Sequence, residues 1–212
     1  MKSLNYILLV LISILIGCQN GSSSYEVIWK SKTIEKRDCQ VPVNYPQIFG
    51  KLDTASLNKI NEILAKLPEH EYYARGCTTD NPQFVSGSFE VLLKKDNVLC
   101  IEYQTDIEYK NEHRTIFHSL VINPNGNASK NFDSIWIEPR DLIPNFDRSK
   151  ILPYIKKYNA ENEHDINLLA YEKSSRYGIT WGITEKNFII YPGGEGEWFG
   201  YDKIKIPLDE FK

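Results

Sequence analysis

The residues that could carry out acid–base or metal chemistry are thinly spread and show no catalytic spacing. The four histidines are His70, His113, His118 and His164, and no two of them lie four residues apart as in a helical zinc site. The sequence also contains no Cys-x-x-Cys pair. His113 and His118 lie five residues apart in a strand pattern, which predicts side chains on opposite faces of the strand. We therefore expect no metal site and no cofactor.

Other candidates for catalysis have simpler explanations. Glu195 and Glu197 flank Gly196 in a glycine-rich segment, and a Glu-Gly-Glu turn lacks the fixed carboxylate separation that glycosidases need. Ser174 and Ser175 do not lie in the Gly-x-Ser-x-Gly elbow that presents a nucleophilic serine. We predict no catalytic residue, and a hydrolase acting on cell-wall material is the alternative.

The clearest chemistry belongs to Cys18, at the end of Leu15-Ile16-Gly17-Cys18. Lys2 precedes an apolar run, residues 6–16, that is 11 residues long, whereas a membrane-spanning helix needs roughly 20 residues. A basic start, a short apolar core and small residues at a cut site are typical of an export signal. Leu-Ile-Gly-Cys resembles the bacterial lipobox, whose cysteine becomes the new N-terminus and is lipidated. An ordinary signal peptide with an incidental cysteine is the alternative.

This interpretation divides the chain into a signal peptide (1–17), a flexible tether (18–25) and a single domain (26–212). The tether is rich in Gly, Ser, Gln and Asn, which suits a flexible linker. Acyl chains contribute about 0.8 kcal/mol per buried CH₂, so several of them hold a protein firmly to a bilayer. No acidic cluster follows Cys18, and we therefore expect an anchor in the outer membrane that faces the periplasm.

The composition is that of a folded protein without affinity for nucleic acid. Charged residues make up 25% and aromatic residues 12% of the chain, which argues against disorder. The formal net charge is −3, whereas a nucleic-acid-binding protein needs a basic face.

Three cysteines remain beyond Cys18, and an exported chain meets an oxidising compartment in which one disulfide is expected. Cys39 and Cys77 lie in polar, loop-like surroundings, and we predict that they pair. Cys100 lies in the apolar strand pattern Val98-Leu99-Cys100-Ile101 and is predicted to be a core residue.

Two helices are predicted. The main helix covers about 52–67, begins at Asp53 or Thr54 as the cap and ends before Pro68. Its apolar positions recur at helical spacing: Leu57, Ile60, Ile63, Leu64 and Leu67. The second helix covers about 148–160. It begins after Asp147 or, equally, at Pro153, because proline suits the first helical position.

Alternating patterns predict strands over 25–36, 39–45, 84–94, 98–109, 113–123, 131–137, 177–184, 187–191 and 201–208. The three strands between 84 and 123 are joined by short turns and form an antiparallel meander. Glu102 is assigned to a solvent-facing position in this meander, and residues 45–48 are expected to turn into the main helix. The elements mix without a βαβ rhythm, so the predicted class is α+β, a twisted antiparallel sheet packed against both helices.

Short matches to a known family are spread over most of the chain. They comprise Tyr45-Pro46-Gln47-Ile48, Phe89-Glu90-Val91, the strand 100–103, His118, Asn131-Phe132-Asp133, Asp141-Leu142-Ile143, Gly182-Ile183-Thr184, Phe188-Ile189-Ile190-Tyr191 and Ile204-Lys205-Ile206-Pro207-Leu208. By these pieces the chain resembles the RsiV-like/PdaC-like family of bacterial envelope domains. That family joins a DUF4163-type half, here 26–112, to a DUF3298-type half, here 113–212.

The resemblance implies a binding role and no catalytic signature. Its members include an anti-sigma factor whose outer domain binds lysozyme, and domains attached to peptidoglycan deacetylases. A lysozyme-like envelope protein or a glycan is therefore the implied partner. The chain departs from the family where small residues, often Gly-Gly-Ala, usually precede the histidine, because Thr115-Ile116-Phe117 precede His118 here.

Aromatic residues around the late glycine-rich segment are the candidate partner contacts: Tyr191, Trp198, Phe199 and Tyr201. They either contact a partner or cap the core. His118 is either a structural residue bonded to the segment 131–133 or a further contact. The sequence thus predicts a lipid-anchored envelope protein that binds a protein or glycan partner without catalysis, with a purely structural lipoprotein as a second alternative. It leaves the oligomeric state open.

Overall fold

The computed structural model describes most of the chain from Ser24 onward. The described residues are 24–36, 39–75, 84–95, 97–109, 112–126, 132–162, 181–192 and 202–212. Outside them lie the predicted signal peptide with Cys18 and four further candidate residues: Cys77, Trp198, Phe199 and Tyr201. Within the described ranges, no helix combines the length and the apolar character needed to cross a membrane.

Two β-sheets and a small number of helices confirm the predicted α+β class. The strands are β1 (Tyr25–Lys36), β2 (Cys39–Gly50), β3 (Phe84–Lys95), β4 (Val98–Tyr109), β5 (Glu112–Ile122), β6 (Trp181–Ile183), β7 (Asn187–Ile190) and β8 (Ile204–Pro207). The first five form one sheet in chain order, and the last three form a second sheet, also in chain order. The α-helices are α1 (Thr54–Arg75), α2 (Pro139–Leu142) and α3 (Leu152–Asn162).

The central strands β3, β4 and β5 form the predicted antiparallel meander. Strands β1 and β2 form a long antiparallel hairpin. In contrast, β2 and β3 meet in parallel at Val43 and Gly87, so the large sheet is not antiparallel throughout. The chain between them contains the 22-residue helix α1, and a crossover of this length permits parallel pairing.

Strand β4 is buried on both faces of the large sheet. Leu99 and Ile101 belong to the core on the α1 side, whereas Cys100 belongs to the core on the side of the small sheet. Successive side chains of a strand point to opposite faces, and a strand covered on both faces is apolar almost continuously. The large sheet is therefore the middle layer of the fold.

Helix α1 covers one face of this layer with the predicted apolar stripe. Ile60 and Leu64 are fully buried in one cluster with Tyr25, Ile48 and Ile101. Each such side chain contributes about 1.5–3 kcal/mol when it is fully buried. At the start of α1, the Oδ2 atom of Asp53 accepts a hydrogen bond from the Ser56 amide at 2.9 Å, so Asp53 is the cap of the two candidates.

The predicted end of this helix before Pro68 is wrong, because α1 continues to Arg75. Proline has no N–H to donate to the carbonyl four residues earlier, that of Leu64. The Leu64 carbonyl instead accepts a hydrogen bond from the Tyr103 hydroxyl on β4 at 3.3 Å. The next carbonyl, of Ala65, accepts one from Lys32 Nζ at 2.6 Å. The Tyr103 side chain thus replaces the one backbone hydrogen bond that the proline removes, and Lys32 adds a donor to the next carbonyl.

The prediction that residues 45–48 turn into the helix is also wrong, since β2 continues to Gly50. Asn61 of α1 explains the longer strand. Its Oδ1 atom accepts from the Ile48 amide at 2.7 Å, and its Nδ2 atom donates to the Ile48 carbonyl at 2.9 Å. One amide side chain therefore bonds the backbone of Ile48 as a neighbouring strand would.

The opposite face of the large sheet is covered by the small sheet and by α3. Ile155 of α3 shares a buried cluster with Phe188, Ile190 and Ile206. Asp147 caps only a short 3₁₀ turn, Arg148–Lys150, by accepting from the Ser149 amide at 2.8 Å. The α-helix itself begins at Leu152, beside Pro153, which agrees with the later of the two predicted starts.

The strand predicted over 131–137 is wrong. The chain forms a 3₁₀ helix over Phe132–Ile135, and Trp136 then makes an isolated bridge with Ile122 of β5. The tight turn buries Ile135 completely in the core on the α1 side. Burial of that side chain therefore takes precedence over pairing along the edge of β5.

Candidate functional site

The two predicted contact residues that the structure describes do not share a site. Tyr191 directly follows β7 and is 2% exposed, between the small sheet and the large one. His118 lies on β5 opposite Tyr103, with ring centroids 6.5 Å apart, on the α1 face. The expected bond from His118 to the segment 131–133 involves side chains outside the described residues and stays a prediction.

Tyr191 belongs to a cluster centred on Glu102 of β4. The Tyr191 hydroxyl donates to Glu102 Oε2 at 2.7 Å. Lys203 Nζ donates to Glu102 Oε1 at 2.6 Å, and Gln104 Nε2 donates to the same oxygen at 3.0 Å. Glu102 is fully buried, whereas the Lys203 side chain is 24% exposed. A carboxylate removed from water needs these charged and neutral donors to offset its desolvation.

The assignment of Glu102 to a solvent-facing position is therefore wrong. The sequence held the signal that would have corrected it, because Glu102 lies two residues after Cys100, whose burial was predicted. Residues two apart in a strand share a face, so Glu102 had to lie beside the buried thiol. Lys203 and Ser119, the other members of this region, carried no such signal.

Burial controls the chemistry of Tyr191. Desolvation raises the pKa of Tyr191 above its ordinary value, the nearby Glu102 carboxylate raises it further, and a hydrogen bond with Ser119 acts in the opposite direction. The hydroxyl therefore remains protonated and donates to Glu102. A Cβ atom at Gly182 would lie 2.8 Å from this hydroxyl, so glycine at this position leaves room for it.

The polar cluster is enclosed by aromatic and backbone groups. Lys203 Nζ lies 4.1 Å from the ring centroid of Phe117, a cation–π contact of the kind worth about 0.5–2 kcal/mol. The Ser119 hydroxyl donates to the Trp181 carbonyl of β6. These contacts join β5 to the edge strand β6 and to Lys203, which directly precedes the other edge strand, β8.

Cys100 lies one row further along the same face and is a buried free thiol. Its sulfur accepts a hydrogen bond from the Ile183 amide at 3.3 Å. Burial raises the pKa of Cys100 to about 12, and the Glu102 charge adds to the effect. Because the thiolate is the nucleophilic form, Cys100 is an inert core residue, as the sequence predicted. Cys39 begins β2, Cys77 lies outside the described residues, and their pairing stays a prediction.

The chemistry open to this cluster is restricted by its own contacts. Both Glu102 oxygens are bound by internal donors, and neither Glu102 nor Tyr191 reaches the surface. Among the described residues, no group of three or more His, Cys, Asp or Glu side chains is arranged to hold a metal ion. The arrangement joins two sheets and fixes the positions of Tyr191 and Lys203.

Comparison with known proteins gives structural relatives at low identity. No protein-family model matches the chain, and no curated protein matches it. Among solved structures, a DUF3298 family protein from Pseudomonas aeruginosa PAO1 is similar with a TM-score of 0.41 and 13% identity, over 89% of this chain and 92% of that one. A DUF3298 family member from Bacteroides fragilis NCTC 9343 has a TM-score of 0.36 and 11% identity over the same shares of the two chains.

Both solved proteins are called DUF3298 family proteins. DUF3298 is also the family that the sequence-based resemblance gives for residues 113–212 of this chain. The DUF4163 and RsiV-like parts of that resemblance, the lipid anchor and the division into halves stay predictions.

Proposed function

We propose that this chain is a lipid-anchored protein of the bacterial cell envelope that binds a protein or glycan partner without transforming it. The anchor is the acylated Cys18, and the contact segment is 193–201, with Trp198, Phe199 and Tyr201. A lysozyme-like protein is the partner class that the resemblance suggests.

The observation that supports this proposal is the position of the Glu102 cluster relative to that segment. Tyr191 lies two residues before position 193, and Lys203 lies two residues after position 201. Both bind Glu102. One buried carboxylate therefore ties together the two ends of the stretch that carries the candidate contacts. Fixed ends reduce the entropy that a contact segment loses on binding.

The same cluster favours binding over catalysis. A general acid or base must come within about 2.6–3.2 Å of the proton it transfers. Glu102 is 0% exposed and Tyr191 is 2% exposed, and their polar atoms are bonded to each other. The ionisable groups of this cluster therefore stabilise the fold and are closed to a substrate.

The test compares partner binding by two tryptophan variants of the full-length protein in detergent micelles. The probes are a purified lysozyme and solubilised cell-wall glycan. We expect Trp198→Ala to weaken binding of one probe roughly tenfold or more, as truncation of an aromatic hot spot does. Trp136→Ala is the matched control, because Trp136 is 40% exposed and lies beside the edge of β5, and its binding should equal that of the wild type.

The alternatives give different results in the same assay. Turnover of the glycan by the wild-type protein would overturn the non-catalytic proposal in favour of a cell-wall hydrolase. If the wild-type protein binds neither probe and does not turn over the glycan, the purely structural lipoprotein is the remaining alternative.

A further inference from the structure

One face of the large sheet changes from apolar to polar along its strands. Cys100 of β4 is in the apolar core, and the next residue on that face, Glu102, is buried with partners. Beyond it come Gln104 and Asp106, which are both half-buried. The interlayer core therefore ends at Glu102, and a polar region of the same face follows.

The strand register places six half-buried side chains of this region in two adjacent rows, which we call the polar platform. The outer row is Ser86–Asp106–Thr115, and the inner row is Ser88–Gln104–Phe117. Neighbouring strands lie about 4.8 Å apart, and alternate residues of a strand lie roughly 6.7 Å apart. The platform is thus a compact patch, three strands wide.

The platform carboxylate is held in place by its neighbours in the row. Asp106 Oδ2 accepts a hydrogen bond from Ser86 Oγ at 3.0 Å, and Asp106 Oδ1 accepts one from Thr115 Oγ1 at 2.9 Å. A carboxylate has about four acceptor sites, so Asp106 retains acceptor capacity for a ligand.

The inner row is fixed by the Glu102 cluster. The Nε2 group of Gln104 donates to Glu102 Oε1, so the side-chain oxygen of Gln104 takes no part in that hydrogen bond. The Phe117 ring is held by Lys203 and lies 6.4 Å from the Tyr191 ring. Side chains that are already ordered lose little entropy when they bind a ligand.

The composition of the platform differs from that of an ordinary solvated face. Exposed strand positions usually carry long charged residues, as Glu26 and Lys30 of β1 do here. The platform carries hydroxyls, one amide, one carboxylate and one aromatic ring. A small number of fixed polar groups beside an apolar ring is typical of a ligand-binding surface.

We propose that the polar platform binds a neutral glycan, which names the partner class within the binding function proposed above and rests on it. Asp106 and Gln104 accept hydrogen bonds from sugar hydroxyls, and Phe117 packs against the apolar face of a sugar ring. Lys203, the cation that contacts Phe117, is paired with Glu102, and Asp106 adds a negative charge. The charge of the platform therefore disfavours phosphorylated or sulfated partners.

The experiment measures binding of a β-1,4-linked N-acetylglucosamine tetrasaccharide to the full-length protein in detergent micelles by titration calorimetry. We expect Asp106→Ala and Gln104→Ala each to weaken binding roughly tenfold, the loss of about 1.4 kcal/mol. Asp106→Asn, which retains one acceptor oxygen, should weaken binding less than Asp106→Ala. Glu26→Ala is the matched control on β1 and should bind as the wild type does. Circular dichroism verifies that each variant is folded.

Two outcomes would overturn the proposal that the polar platform binds a neutral glycan. One is a wild-type protein that does not bind the tetrasaccharide at millimolar concentration or prefers its sulfated form. The other is binding that neither Asp106→Ala nor Gln104→Ala weakens. If the wild-type protein binds lysozyme and Trp198→Ala weakens that binding in either case, the binding function stands and only the glycan platform fails.

Discussion

At the scale of single residues, Glu102 and Lys203 are unequal partners in their ion pair. Lys203 retains 24% exposure of its side chain, whereas Glu102 has none. Loss of Lys203 would leave a buried carboxylate without a counter-charge, which typically costs about 3–5 kcal/mol. We therefore expect Lys203→Met to lower the free energy of unfolding by about that amount, as measured by urea denaturation, and Glu102→Gln to lower it less.

A double variant separates this effect from a general loss of packing. Glu102→Gln/Lys203→Met removes both charges, and an uncharged pair in a buried site is often as stable as the ion pair. It should therefore be more stable than Lys203→Met by itself. The interpretation fails if Lys203→Met unfolds at the wild-type urea concentration, or if the double variant is the least stable of the three.

Cys100 gives a pH dependence with a defined sign. Its pKa is raised from 9.0 to about 12 in the folded protein, so the unfolded chain releases this proton first. The stability that the buried thiol contributes is complete below pH 9 and is lost as the pH rises toward 12, at about 1.4 kcal/mol per pH unit. Cys100→Ala should show a shallower decline over this range. Parallel wild-type and variant curves would contradict the assignment.

A loss of packing in Cys100→Ala does not affect this comparison of pH dependence. Removal of the sulfur takes the acceptor from the Ile183 amide and lowers stability at every pH by a similar amount. The slope, rather than the level, therefore reports the titration of Cys100. Tyr103, whose pKa burial also raises, remains in both proteins and contributes equally to both slopes. The Cys100 charge also raises the pKa of Tyr191, so that part of the Tyr191 shift is lost with the thiol and belongs to the measured difference.

At the scale of elements, the continuation of α1 through Pro68 gives a testable coupling. The Tyr103 hydroxyl bonds the Leu64 carbonyl, which is the one that proline leaves without its helical donor. Tyr103→Phe should lower the free energy of unfolding by about 1–3 kcal/mol, because it leaves a buried carbonyl unpaired. In a Pro68→Ala background the same change should cost less, since the alanine supplies the missing backbone N–H. Equal costs in both backgrounds would exclude this role of Tyr103.

Helix α1 also shows which features could be predicted from the sequence and which could not. Alternation and helical spacing identified β1, the meander and the apolar stripe of α1, because those signals are local. Pro68 and residues 45–48 were misassigned because their backbone partners, Tyr103 and Asn61, come from other elements. The burial of Glu102 could be inferred from Cys100, but its partners Tyr191 and Lys203 are 89 and 101 residues away along the chain.

At the scale of the whole molecule, the chain forms three layers: α1, the large sheet and the small sheet with α3. Glu102 lies where the apolar interface between the two sheets gives way to the polar platform. The carboxylate joins the sheets on one side and orients Gln104 on the other. The core and the proposed binding face therefore depend on the same residue. Variants of Glu102 should change both stability and binding, whereas Asp106 variants should change binding with little effect on stability.

The proposed lipid anchor should be separable from this fold, because the described core begins only at Tyr25. The predicted tether (18–25) is wrong at its last residue, since Tyr25 is buried and begins β1. We expect mass spectrometry of the wild-type protein to show an N-terminus at Cys18 that carries acyl groups. Cys18→Ser should retain residues 1–17 without acyl groups, because the lipobox requires cysteine, and its melting temperature should equal that of the wild type. Cys39→Ser is the control and should be processed and acylated normally. A wild-type N-terminus cut at this site without acyl groups would identify an ordinary signal peptide and overturn the proposed lipid anchor.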